Sequence, residues 1–401
     1  MPRLFTNCSV LDGRGGRRPK GWVLIDDKKI VSVGDGEGPP SSGGGGLEIV
    51  DLGGKTLMPG LIDAHVHLVL DGGPDVIDQI NEPLSIQVLK GARHARQALS
   101  AGITTVRDMG AKGGVVLHLR QAVESGLVRG SGIIASGHVI CMTGGHGWFF
   151  GRESDGPDEV RKNVRREIKA GADCVKLIAT GGVLTPGVNP SFAQLSYAEL
   201  RAGIEEAHKA GRKTATHAQG EQGIANAVKA GIDSVEHGYY LTEELIEIML
   251  GKGIYLVPTI TSLTNIVDNA VDGGIPDWAV DKARTVIVAA RQSHAKARQA
   301  GVRIAMGTDA GTPYNLHGRN GNELVAMVEW GFSPMEAIVA ATSNAADLLG
   351  LSDSVGTIEE GKMADLVVVD GDPLKDIGLL GPKKGIEAVY KSGQLVSNEW
   401  W

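Results

Sequence analysis

The sequence is poor in aromatic residues and in cysteine. Phe, Trp and Tyr make up 4% of its 401 residues, so large rings can dominate only a few local contacts. The three cysteines, Cys8, Cys141 and Cys174, are too few for a disulfide framework, and a reducing, cytoplasmic setting is the expectation. No apolar run is long enough to span a bilayer, and residues 1–7 lack the apolar stretch of a signal peptide. Positive charge is not in excess either. A formal net charge of −7 gives no basic footprint for nucleic acid and favours solubility. Glycine, in contrast, is plentiful at 58 residues, as many tight turns between short elements require. With 42% hydrophobic and 22% charged residues, the composition is that of an ordinary soluble protein. The length suits one large α/β unit with an appendage.

An apolar stretch entered through Pro59-Gly60 carries two histidines, in Leu61-Ile62-Asp63-Ala64-His65-Val66-His67. In a strand, alternate side chains share a face, so His65 and His67 point the same way. Two imidazoles on one face can hold a metal ion, or they can simply pack. The pair alone leaves both open.

The chain begins and ends with β character. Residues 22–33 read as a hairpin around Asp26-Asp27-Lys28-Lys29, and 47–52 as a further strand. Residues 41–46 read as a flexible Ser/Gly connection; no following lysine and helix make them a phosphate loop. Between residues 59 and 350 short apolar strands alternate with longer helical stretches, which argues for βα units on a parallel sheet. Eight strands are expected, around His65 and at 104–108, 133–136, 174–178, 214–217, 234–237, 255–258 and 303–307. Helices are expected over 158–170, 196–210 (with a Ser196/Glu199 capping box) and 276–300. Several end in an Ala-Gly step, such as Ala170-Gly171 and Ala300-Gly301, that fits a left-handed residue just past a helix. The pattern predicts a (βα)8 TIM barrel over 59–350, with a doubly wound open sheet as runner-up. Strands return at 364–370 and 386–391. Too few lie at either end to stand alone, so 1–58 and 351–401 are expected to pair into one small β-sandwich domain.

Strands of a parallel barrel are buried on both faces, so a charged or imidazole side chain on one requires a reason. Lys176 lies inside an apolar strand. It can be a salt-bridged lysine, or a neutral amine able to take up carbon dioxide as a bridging carbamate. His217, His237 and Asp309 end the fifth, sixth and eighth expected strands, where catalytic residues of this fold sit. One such histidine is more often a packed core residue; the whole set suits zinc or a similar divalent ion. His146, in a Gly-rich loop after strand three, is a further candidate, and His317 a weaker one. His94, His118, His208 and His294 fall in polar helical stretches and are expected on the surface; His138 reads either way. Trp148-Phe149-Phe150 is a local concentration of rings, either a pocket wall or a loop anchor, and Arg152 reads as a surface residue.

Assembled, these residues resemble the amidohydrolase superfamily in its binuclear, carboxylated-lysine branch. Pro59-Gly60-Leu61-Ile62-Asp63-Ala64-His65-Val66-His67 is similar to its entry motif. Lys176, His217, His237 and Gly307-Thr308-Asp309 follow in its order, and Gly361-Lys362-Met363-Ala364-Asp365-Leu366-Val367 resembles its C-terminal β strand. Thr143-Gly144-Gly145-His146, Thr180-Gly181-Gly182-Val183 and Val235-Glu236-His237-Gly238-Tyr239 narrow the resemblance to the Xaa-Pro dipeptidase and carboxypeptidase-like subgroup.

The resemblance implies a hydrolase of dipeptides or N-acyl amino acids. His65, His67 and Asp309 would hold one divalent ion, zinc or a similar metal, and His217 and His237 a second, bridged by carboxylated Lys176. A hydroxide shared by the metals would attack the amide carbon. Asp309 would shuttle the proton, His237 would act through the carbonyl-polarising metal, and His146 and Tyr239 would contact substrate. Rival readings are a urea or carbamate hydrolase, a mononuclear deaminase and a non-catalytic assembly protein. The resemblance also suggests a homo-oligomer.

Overall fold

The computed structural model describes residues 1–38, 46–270 and 273–396. Of the Ser/Gly connection, all but Gly46 lies outside the described residues. Strands β1 (Arg3–Leu11), β2 (Arg17–Asp26), β3 (Lys29–Asp35), β4 (Glu48–Asp51) and β5 (Thr56–Pro59) come first. Next are β6 (Leu61–Val66), β7 (Ile103–Asp108), β8 (Gly132–Ala135), β9 (Val139–Cys141) and β10 (Gly151–Glu153). The series continues with β11 (Cys174–Ile178), β12 (Lys213–Ala218), β13 (Ser234–His237) and β14 (Tyr255–Val257). The last are β15 (Leu366–Val369), β16 (Ile386–Lys391) and β17 (Gln394–Leu395).

The chain divides into two compact units, one of Met1–Asp63, Gln97–Thr105 and Gly318–Trp401, the other of Ala64–Arg96 and Val106–His317. In the first, both chain ends join one eight-stranded sheet in the order β17-β16-β15-β5-β1-β2-β3, with β4 beside β1. The ends meet where β5 runs antiparallel to β15, Met58 opposite Val367. The predicted hairpin is present: Asp26 pairs with Lys29, and Asp27 takes the left-handed conformation (φ 49) that Asp tolerates in turns. Phe5, Val23, Ile25, Leu57, Leu366 and Val368 form the core beneath this sheet, with the Tyr390 ring edge-on to Phe5 at 5.0 Å.

The second unit carries an all-parallel sheet, β10-β9-β11-β12-β13-β14. A further sheet runs β6-β7-β8. Pairing along β11, β12 and β13 is parallel and in register, Ile178 opposite His217 and Ala218 opposite His237. Registration of this kind brings strand ends, and the polar residues on them, to one level. The expected helices are present at Pro157–Ala170, Tyr197–Lys209 and Asp277–Ala300. Ser196 caps the second through the reciprocal Ser196/Glu199 box. Gly171 and Gly301 close the first and third in the left-handed conformation. Among the described residues no helix is long and apolar enough to cross a membrane.

Three expectations need correction. The eighth strand is not regular: residues 303–307 carry only an isolated parallel bridge from Ile304 to Leu256. The stretch is still extended and hydrogen bonded on both sides, from Ala305 N to Leu256 O at 3.0 Å and from Ala64 N to Met306 O at 2.8 Å. Its ladder breaks at Gly307, where an added Cβ would lie 2.8 Å from His65 Cβ, and at Asp309, with φ 61. Second, His94 and His294 are buried rather than superficial. Each donates to a carbonyl at a strand end: His94 Nδ1 to Leu68 O at 2.7 Å and His294 Nε2 to His237 O at 2.6 Å. A carbonyl leaving its ladder inside the protein needs a donor, and a helical histidine on the inward face supplies it. His118 and His208 are exposed as expected. Third, Arg152 is not a free surface cation; it is paired with Glu167, which is buried.

Candidate metal centre and active site

The ends of the parallel strands deliver a group of imidazoles to one cavity. His65, His67, Lys176, His217, His237, Asp309, His146 and Tyr239 all line it. Ligand atoms of His65, His237 and Asp309 lie within 4.8 Å of one another. His67 joins them through Asp309, whose Oδ1 is 3.3 Å from its Nε2 and 3.4 Å from that of His65. His217 joins through His237, ring centres 4.5 Å apart, and His146 lies 4.1 Å beyond His217.

In each candidate ligand histidine, one ring nitrogen is engaged by the protein. His65 Nδ1 donates to Glu236 Oε2 at 2.7 Å. His67 Nδ1 donates to Gly110 O at 3.1 Å, and His217 Nε2 to Gly181 O at 3.0 Å. His237 Nδ1 lies 2.7 Å from Thr259 Oγ1. The Thr259 hydroxyl spends its proton on Pro258 O at 2.8 Å, so it accepts from His237. Each ring is thereby fixed in the tautomer that turns its other nitrogen into a lone-pair donor, the arrangement metal-ligating histidines show.

Electrostatics point the same way. Burial, aided by the charge of Lys176, holds His65 well below its usual pKa, and burial with the neighbouring histidines does the same for His217. Burial lowers His237 and His146 to about 3. These rings are neutral, as ligands must be. His67 is the exception: burial would lower it, but its hydrogen bond and charge pairing with Asp309 raise it. Burial would raise Asp309, yet His65 and His67 hold it well below the carboxylate range. Burial lowers Lys176 to about 8, against the opposing pull of Glu236 and Asp309. Its Nζ has no hydrogen-bond partner among the described residues. A lysine so placed carries far more free amine near neutral pH than an exposed lysine does, although the ammonium still predominates at pH 7.

Backbone strain concentrates here. His237 (φ 73), Thr259 (φ 49) and Asp309 (φ 61) occupy the left-handed region, which side-chain-bearing residues enter at a cost of order 1–3 kcal/mol and mostly at functional sites. Gly182 gives His146 its place, since a Cβ there would stand 2.4 Å from the imidazole. His146 Nδ1 is held by Thr185 Oγ1 at 2.7 Å. The cavity encloses about 670 Å³ of empty space, part of it open to solvent. Its other walls are largely apolar, with Phe149, Phe150, Ile178, Leu263 and Ile266 among them. Phe150 meets His67 edge-on at 5.6 Å. Trp148 does not line the cavity and is 46% exposed.

Some supporting residues lay unrecognised in the sequence. Arg107 and Glu236 are both fully buried. Arg107 donates to Glu236 Oε1 at 3.0 Å and to Ala64 O at 2.6 Å; Ser234 also donates to Glu236. One buried ion pair thus ties the residue before His65 to the residue before His237. Asp108, its carboxyl raised by burial to about 6, accepts from Leu68 N and Gly110 N and shapes the turn that holds His67. The signal available was a charge inside an apolar strand, at Arg107 and again at Glu236. His317 also supports the site without lining it. Its Nε2 lies 3.2 Å from His67 O and 3.1 Å from Leu70 O, and its ring stacks on His94 at 4.5 Å.

The fold and this site define a class, and comparison with known proteins agrees. Residues 56–396 match the amidohydrolase family, and the chain belongs to that family and is a hydrolytic enzyme acting on carbon–nitrogen bonds. It is 34% identical over 378 residues to ochratoxinase of Aspergillus niger, a match covering 85% of this chain and 75% of that protein. A solved Xaa-Pro dipeptidase with methionine in its active site superposes with a TM-score of 0.89 at 33% identity, covering 99% of this chain and 100% of the other. A prolidase in complex with N-methylphosphonate-L-proline gives 0.91 at 32% identity, with 100% of both chains covered.

Proposed function

We propose that this protein is a two-metal hydrolase that cleaves the C–N amide bond of a dipeptide or N-acyl amino acid. The observation that carries the reading is Lys176. Its buried amine has no partner among the described residues and lines the same cavity as four candidate ligand histidines and Asp309. An orphaned ammonium is costly there. A neutral amine that adds carbon dioxide, forming an N–C bond and releasing one proton, becomes an anionic two-oxygen bridge and removes that cost. The donor set of nitrogen and carboxylate without thiolate suits zinc. His65, His67 and Asp309 would hold one ion, His217 and His237 the other, with the lysine carbamate between them. When bound, two such ions supply Lewis acidity and lower the pKa of water toward neutrality.

The chain's own groups then divide the work. Asp309, kept ionised beside His65 and His67, takes a proton from the attacking water and delivers it to the leaving nitrogen, which departs poorly as an anion. His237 would hold an ion whose Lewis acidity polarises the substrate carbonyl. His146, positioned by Thr185, and Tyr239, whose ring lies 5.8 Å from His237, orient the substrate's carbonyl or carboxylate. The apolar walls receive an apolar side chain. Names of the similar proteins, Xaa-Pro dipeptidase, prolidase and ochratoxinase, support an amide substrate.

We further read residues 59–350 as one closed (βα)8 barrel, supported by the stretch that hydrogen bonds β14 on one side and β6 on the other. Residues 1–58 and 351–401 are read as a β-sandwich, and the resemblance favours a cytoplasmic homo-oligomer. The test of function is a panel of dipeptides, N-acyl amino acids, ureas and carbamates offered to metal-analysed protein. Hydrolysis confined to the first two classes is expected; hydrolysis of ureas or carbamates alone would overturn the substrate assignment.

A further inference from the structure

Most polar groups around the cavity are already engaged. The histidines hold Glu236, Gly110, Gly181, Thr259 and Thr185. Gln219 differs. It lines the same cavity and is 3% exposed, yet its Oε1 is buried with no partner among the described residues. Its backbone is pinned at both ends. Its N–H donates to Thr180 Oγ1 at 3.0 Å, and its C=O accepts from Tyr240 N at 3.1 Å. The side chain therefore starts from a fixed point, two residues past His217 and bonded through its backbone to the residue after Tyr239.

A buried acceptor left unpaired is expensive, and native proteins keep few of them. At a cavity wall the missing partner can arrive with the ligand. An amide oxygen accepts hydrogen bonds and donates none, so it selects for a donor. We infer that Gln219 is a specificity-determining residue that accepts a hydrogen bond from an N–H of the substrate beside the scissile carbonyl. This rests on the amide-hydrolase reading above. Two N–H groups of an amide substrate lie close enough to that carbonyl to serve: the α-ammonium of a dipeptide and the N–H of the scissile amide itself. A site built to pair such a group discriminates strongly against analogues lacking it, because the acceptor then stays buried and unpaired.

The experiment uses the full metal-loaded chain and matched substrates. Alanyl-phenylalanine and propionyl-phenylalanine differ only in the α-amine. Propionyl-phenylalanine and its N-methyl amide analogue differ at the scissile N–H. For each pair the ratio of kcat/KM is measured in wild type, Gln219→Leu and Gln219→Met, with thermal melting to select variants that fold. The inference predicts that in one pair the preference for the N–H-bearing member falls ~10–100-fold in the variants, and that pair identifies the donor. Ratios unchanged in both pairs would overturn the role of Gln219 while leaving amide hydrolysis standing. A wild type that cleaves no member of the panel would overturn the amide reading, and this inference with it.

Discussion

Glu236 Oε2 accepts the Nδ1 proton of His65 at 2.7 Å, while Oε1 of the same carboxylate pairs with Arg107 at 3.0 Å. All three side chains are almost wholly buried. The carboxylate thus orients the first candidate ligand and neutralises a guanidinium that also grips Ala64 O. Breaking a buried pair strands a charge and costs several kcal/mol, so this arrangement couples the stability of the strand ends to the orientation of the metal site.

Glu236→Gln keeps the volume and removes the charge. Partners of this kind tune ligand affinity by roughly 10–100-fold, and the substitution should weaken metal retention to that extent. Dialysis against graded chelator followed by metal analysis reads the effect. Retention equal to wild type would deny Glu236 its orienting role.

Lys176→Ala should lose activity altogether, since the neighbouring carboxylates are already engaged, Glu236 by His65 and Arg107 and Asp309 by His65 and His67. Added acetate or propionate should restore part of it. A carbon NMR signal from isotopically labelled bicarbonate should be present in wild type and absent from the variant. Normal turnover in Lys176→Ala would remove the carbamate from the account.

Asp309→Asn separates proton transfer from binding. It should lower turnover by ~10²–10⁴-fold while most of the metal stays bound. Near-normal hydrolysis with metal retained would take away the shuttle role.

How much of this could be read in advance follows from the range of the interactions. Lys176, His217, His237 and Asp309 were legible because each interrupts or ends a short apolar run, and strand ends of a parallel sheet converge. The helix at Tyr197–Lys209 was legible because its capping box lies within four consecutive residues. Interactions between distant residues were not. Arg107 and Glu236 stand 129 residues apart, and His294 reaches a carbonyl 57 residues away. His94 and His294 are on helices of mixed polarity, and nothing local marks their inward face. The irregular eighth strand depends on how closely Gly307 approaches His65, and β10, with 3 residues, is too short to show a period.

Asp233, away from the cavity, should contribute to an acid transition. Its carboxylate accepts from His208 Nε2 and Thr214 N at 2.8 Å and from Lys213 Nζ at 2.9 Å. Burial would raise its pKa, but these donors outweigh it and hold the group well below the carboxylate range. A carboxyl whose folded pKa is depressed contributes stability above its unfolded pKa and loses it as pH falls below about 4. Asp233→Asn should therefore cost about 1–2 kcal/mol at pH 7, a gap that begins to narrow below about pH 4 and closes only as pH falls through the strongly depressed folded pKa. A gap between variant and wild type that does not shrink as pH is taken below about 4 would contradict this.

The proposed two-metal centre is built on the carbamate of Lys176. Its most direct test is a titration of metal-free protein with zinc in the presence of bicarbonate, following hydrolysis against metal bound per chain. The account predicts that activity saturates at two equivalents and that Lys176→Ala does not reach that stoichiometry. Full activity at one equivalent, or activity in protein shown to be free of metal, would contradict it.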